Sequence, residues 1–140
     1  MILRISSLLL ARLRAAAAAA PDREICGLLF GTDGWIEAAQ ATANVSPVPA
    51  DSFEIDPAAL FAAIRAERGG GARLIGHYHS HPYGPATPSA RDAAAAGEAG
   101  HIWLILGRED ATAWRAVPGG PIAGAFERVI LQEAGEAGCA

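Results

Sequence analysis

The stretch Leu74-Ile75-Gly76-His77-Tyr78-His79-Ser80-His81-Pro82, with Ser89-Ala90-Arg91-Asp92 beyond it, decides how this chain is read. Leu74 to His81 has strand character, and Pro82, which lacks an N–H, stops it. Side chains alternate along a strand, so His77, His79 and His81 share one face. Neighbouring histidines of this series lie about 6.6 Å apart at Cα, and all three span about 13 Å. Two imidazoles at the shorter spacing can converge on one ion with Zn–N bonds of about 2.0–2.1 Å. The pair beside the loop, His79 and His81, is preferred, because loops at strand ends open to solvent and substrate. His77 is read as a packing residue or as a support for the ligands. Asp92 opens a short helix after the Tyr83–Pro88 loop and can add an oxygen ligand. Two His, one carboxylate and an open position describe a catalytic zinc site.

Each of these residues also has a plainer reading. Ser89-x-x-Asp92 is a capping-box variant, with Ser capping and an acid three residues later. Glu24, between Arg23 and Ile25 and near Asp22, reads by itself as a solvated charge. What weighs against coincidence is the conjunction: ionisable groups crowded beside an apolar strand are costly unless metal or solvent satisfies them.

Working outward, Met1–Ile5 reads as a short strand. Ser6 or Ser7 caps a helix running to about Ala20, with Ile5, Leu8, Leu9, Leu13, Ala16 and Ala17 at helical spacing and Pro21 beyond. Arg12 and Arg14 interrupt this segment, which favours a folded helix over a secretory signal. Ile25-Cys26-Gly27-Leu28-Leu29-Phe30 reads as a strand covered on both faces, Asp33-Gly34 as a hairpin turn, and Trp35–Val45 as the return strand. Ser46–Ser52 is a loop. Asp56-Pro57 starts a second helix that Gly69-Gly70-Gly71 ends. Ser89–Gly97 is a short helix, and His101–Leu106, Ala111–Val117 and Ile122–Leu131 are strands. Hairpins mixed with flanking helices give a single α/β domain with a mixed sheet, residues 1–131, followed by a tail at 132–140.

Composition narrows the function classes. The chain has 140 residues, 51% of them hydrophobic and 19% charged, so it forms one folded domain. The net charge is −4 and no basic run occurs, which argues against nucleic acid as a partner. No window holds the ~20 uninterrupted apolar residues of a membrane span. The two cysteines, Cys26 and Cys139, form no CxxC, so neither a disulfide framework nor a Cys-based zinc knuckle is expected, and a reducing cytoplasm fits.

His79-Ser80-His81-Pro82 followed by Ser89-x-x-Asp92 resembles the signature of the JAMM (MPN+) metalloproteases. Glu24-Ile25-Cys26-Gly27-Leu28-Leu29 resembles that family's E-x-C-G-hydrophobic strand, and Asn44 and Phe53-x-x-Asp56-Pro57 resemble its intervening segment. The resemblance covers about Glu24 to Gly107. It implies a cytidine deaminase-like core and one zinc per chain held by His79, His81 and Asp92. It implies Glu24 as general base and then acid, and Ser89 as the donor to the developing oxyanion. His77 falls where many relatives have Trp. The implied activity is hydrolysis of an amide or isopeptide bond after the C-terminal Gly-Gly of a ubiquitin-like or sulfur-carrier (ThiS/MoaD-like) protein. The contrasting reading is a scaffold of the same fold without catalysis, against which the intact ligand set stands. A zinc deaminase is disfavoured by the lack of a Pro-Cys-x-x-Cys pair.

Overall fold

A computed structural model describes residues 1–135. The chain runs β1 (Ile2–Ser6), α1 (Ser7–Ala18), β2 (Cys26–Thr32), β3 (Trp35–Thr42), α2 (Pro57–Arg68), β4 (Leu74–Ser80), α3 (Ala90–Ala94), β5 (Ile102–Leu106), β6 (Ala111–Ala116) and β7 (Phe126–Ala134). The sheet is mixed and flanked by helices, as expected. Beyond that expectation, it closes into a barrel in the order β1-β3-β2-β4-β5-β6-β7. Closure depends on β1, which pairs in parallel with both β3 and β7. β4 and β5 are parallel, and the remaining neighbours are antiparallel.

Local chemistry accounts for the helix starts. The Ser6 side chain accepts from the Leu9 N–H, and the Asp56 carboxylate accepts from the Ala58 N–H with Pro57 in the first turn. α1 sends Leu10 and Leu13 into a core with Leu3, Ile5, Leu29, Leu104 and Val129. Every residue of β5 is buried, so its apolar run is covered on both faces. A second cluster, built on Trp103, Ile105, Trp114 and Phe126, lies beside Phe53. Gly76 is required where β4 meets β5, because a Cβ there would overlap the Ile102 backbone.

Four boundaries differ from expectation by more than two residues. The return strand β3 stops at Thr42, and Asn44 instead bridges Ile55. α3 is shorter than Ser89–Gly97, with Gly97 turning the chain at φ +68°. The last strand starts at Phe126, because Ala123 and Gly124 adopt positive φ and fold residues 122–125 into a turn. It runs to Ala134, past the expected domain end at 131, since β1 pairs with it through Ser6↔Ala134. The rest of the expected tail, from 136 on, and Cys139 with it, lie outside the described residues. No helix among the described residues is long and apolar enough to cross a membrane.

Candidate metal centre

β4 carries His79 and ends at Ser80, and the His81 N–H then donates to the Leu106 carbonyl, which holds the exit from the strand against the end of β5. His79 is fully buried and His81 nearly so. Their Nε2 atoms face each other at 3.0 Å. The Asp92 carboxylate completes the group: Oδ2 lies 3.1 Å from His81 Nε2 and 3.3 Å from His79 Nε2. Sequence reasoning placed these three residues together, and the fold does so.

The capping reading of Ser89 and Asp92 is also realised. Ser89 Oγ accepts from the Asp92 N–H at 3.0 Å, and Asp92 Oδ2 accepts from the Ser89 N–H at 2.9 Å. One carboxylate therefore serves the helix end and also faces the histidines, so the cap is compatible with a ligand role. The cap bond uses the Ser89 oxygen as acceptor and leaves its hydroxyl hydrogen free to donate.

Glu24 reaches the same place from the segment before β2. It is 6% exposed, and its Oε1 is buried without a partner among the described residues. Glu24, His79 and His81 each offer a ligand atom, all within 4.8 Å of one another. Burial pushes the Glu24 carboxyl from 4.5 up to about 7; Asp92 and Asp51 add to the rise, and His81 and Arg91 oppose it. Burial also lowers His79, against the pull of Asp92. At His81 burial works downward too, but the Asp92 and Pro85 hydrogen bonds and the Asp92 and Glu24 charges leave it raised. Burial works to raise Asp92, yet its bonds to both histidines hold it far below the usual carboxylate range.

Two supports of the rings were not visible as such in the sequence. The Pro85 carbonyl accepts from His81 Nδ1 at 2.9 Å. In the neutral ring this puts the proton on Nδ1 and turns the Nε2 lone pair toward His79 and Asp92. Phe53 stacks on the His79 ring at 4.2 Å and 17°. A backbone carbonyl leaves no sequence signature, and Phe53 stands out in the sequence only through the resemblance of Phe53-x-x-Asp56-Pro57. His77 stands apart from the converging group. Its ring packs edge-on to Trp103 at 4.4 Å and tilted to Phe53 at 5.4 Å. Burial first, then His79 and His101, hold it down to about 3, so it is neutral. His77 also lines a cavity of about 890 Å³ beside α2, which includes none of Glu24, His79, His81 or Asp92.

The arrangement passes a geometric test for a metal. Ligands at about 2.0–2.1 Å around a tetrahedral zinc stand about 3.3 Å from one another. The three separations here, 3.0, 3.1 and 3.3 Å, are of that size. Two neutral-capable imidazoles and a carboxylate suit zinc chemically.

Residues 6–117 match the family model described as prokaryotic homologs of the JAB domain. A desampylase from Haloferax volcanii is 34% identical over 111 residues, 76% of this chain and 80% of that protein. A protein named as a probable TtuB-protein conjugate cleaving protease, from Thermus thermophilus, is 49% identical over 49 residues, 35% of this chain and 33% of that protein. Among solved structures, a protein from Desulfitobacterium hafniense superposes with a TM-score of 0.76 at 28% identity, covering 96% of each chain. A JAB1/MPN domain protein from Archaeoglobus fulgidus shares the fold, with a TM-score of 0.59 at 20% identity over 94% of this chain and all of that one. With its converging histidines and this match over most of its length, the chain belongs to the prokaryotic JAB-domain family.

Proposed function

We propose that the protein is a zinc metallopeptidase that hydrolyses the amide or isopeptide bond after the C-terminal Gly-Gly of a ubiquitin-like or sulfur-carrier protein, acting in the cytoplasm. The observation that carries this is the convergence of His79, His81 and Asp92 within 3.0–3.3 Å, with the buried Glu24 beside them. The names of the relatives, a desampylase and a conjugate cleaving protease, support a protein conjugate as substrate.

His79, His81 and Asp92 would hold one zinc. Asp92 is preferred over Glu24 as third ligand, because its Oδ2 lies 3.3 Å and 3.1 Å from the Nε2 atoms of His79 and His81. When bound, zinc supplies Lewis acidity toward the scissile carbonyl and acidifies a water. Glu24, raised toward neutrality, accepts the proton of the attacking water and returns it to the leaving amine. Ser89, fixed as a helix cap, donates its hydroxyl hydrogen where the carbonyl oxygen gains charge. The Pro85 carbonyl and the Phe53 ring hold the two imidazoles in orientation.

The test is cleavage of a ubiquitin-like carrier joined through its terminal Gly-Gly to a lysine side chain. The carrier should be released, a chelator should stop the reaction, and zinc should restore it. Removing the Gly-Gly should abolish cleavage; equal cleavage of the truncated carrier rejects the substrate assignment.

A further inference from the structure

We propose that Asn44 is a positioning residue of this site, whose side-chain amide sets both the Glu24 carboxylate and the Phe53 ring that backs His79. The proposal rests on the hydrolase reading above, since Glu24 is the group being placed.

Asn44 lies just past β3, outside any strand, and bridges Ile55 across the loop. Its primary amide has two N–H donors and an oxygen with two lone pairs, and the structure uses all four. Nδ2 donates to the Glu24 carbonyl at 2.9 Å and to the Ser52 carbonyl at 3.0 Å. Oδ1 accepts from the Ser46 and Glu54 N–H groups, both at 3.0 Å. Ser52 and Glu54 flank Phe53, so one side chain grips the backbone on both sides of the residue stacked on His79.

Glu24 precedes β2, which starts at Cys26, so no sheet ladder holds its backbone. Three bonds do so instead. Its carbonyl accepts from Asn44, its N–H donates to the Pro49 carbonyl at 2.7 Å, and the next N–H, of Ile25, donates to Ser80 Oγ at 2.8 Å. Two of the three partners belong to the loop that Asn44 organises. Without the amide, the Glu24 carbonyl and the loop lose their only side-chain tie to each other among the described residues. Carboxylates acting as bases need their partner within hydrogen-bond reach, and a misplacement near 1 Å can cost about 100-fold.

The experiment compares Asn44→Ala and Asn44→Asp with Ser46→Ala on the Gly-Gly conjugate. Asp keeps the acceptor and the size but removes both donors to carbonyls. Ser46→Ala removes the Ser46–Ser52 side-chain bond and the bond to the Val48 N–H, yet spares the tie to Glu24. In both Asn44 variants kcat should fall about 10- to 100-fold with KM within about twofold. Zinc content should stay at the parental level, and Ser46→Ala should keep parental kcat. In metal-free protein, amide exchange should rise at Ser46 and Glu54 in the Asn44→Ala variant while core strands stay protected. Parental kcat in a folded Asn44→Ala protein, a change confined to KM, or an equal fall in Ser46→Ala overturns the proposal. So does loss of the whole unfolding transition in both Asn44 variants, which makes Asn44 a residue of the fold alone. If parental protein cleaves nothing, the hydrolase reading fails, and unchanged amide exchange then separately refutes the grip of Asn44 on the loop.

Discussion

Replacing Glu24 by Gln separates the burial cost of a charge from its use in catalysis. The fold raises the Glu24 carboxyl from 4.5 to about 7, with burial as the leading cause. A raised acid means the native state holds its proton more tightly than the unfolded chain does. The stability that the neutral acid contributes is therefore complete below pH 4.5 and is lost as the pH rises through about 7. The rise from 4.5 to about 7, at 1.36 kcal/mol for each pH unit, sets the loss at no more than about 3 kcal/mol. Gln has nearly the same shape and carries no charge at any pH. In chelator-treated protein, urea unfolding should give equal stability for variant and parent near pH 4. Near pH 8 the variant should be more stable by about 1–3 kcal/mol. With zinc restored, the same variant should keep the metal and lose about 100- to 10,000-fold in kcat, the range of a lost general base. A variant that gains nothing near pH 8 refutes the buried-carboxylate argument. One that cleaves at the parental rate refutes Glu24 as the base.

Other expectations follow from the same geometry. Ser89→Ala removes a helix cap, at about 1 kcal/mol in thermal or urea unfolding, and lowers kcat about 100-fold while zinc content stays unchanged. His77→Phe should keep the zinc and the parental fold, because the neutral ring packs on Trp103 and stands apart from the converging nitrogens; loss of bound metal would make it a ligand. Asp92 is held below the usual carboxylate range, so it contributes stability above pH 3.8 that is lost as the pH falls below that value. Acid titration of the metal-free protein, followed by circular dichroism, should show this loss, and Asp92→Asn should remove it.

The site was more legible than the barrel around it, for a physical reason. His79, His81, Ser89 and Asp92 lie within fourteen positions of one another, and strand alternation plus one helix start are enough to bring them together. The hairpin at Asp33-Gly34 and the caps at Ser6 and Asp56 are likewise local chemistry. Barrel closure is not. It comes from parallel pairing of β1 with β7, which joins Ser6 to Ala134 across almost the whole chain, and no local pattern carries that register. The same pairing explains why the last strand runs past its expected end. The earlier stop of β3 has another cause: its ladder partner β2 begins only at Cys26, opposite Thr42, and beyond that point Asn44 bridges Ile55 instead, a pairing that depends on where the loop arrives in space.

The most direct test is the metal content of protein purified without added zinc, measured per folded chain in the parent and in His79→Ala and Asp92→Ala. One zinc per parental chain, absent from both variants, is the expected result. A parent that holds no metal even when offered zinc, or variants that bind it as tightly as the parent, would contradict the account.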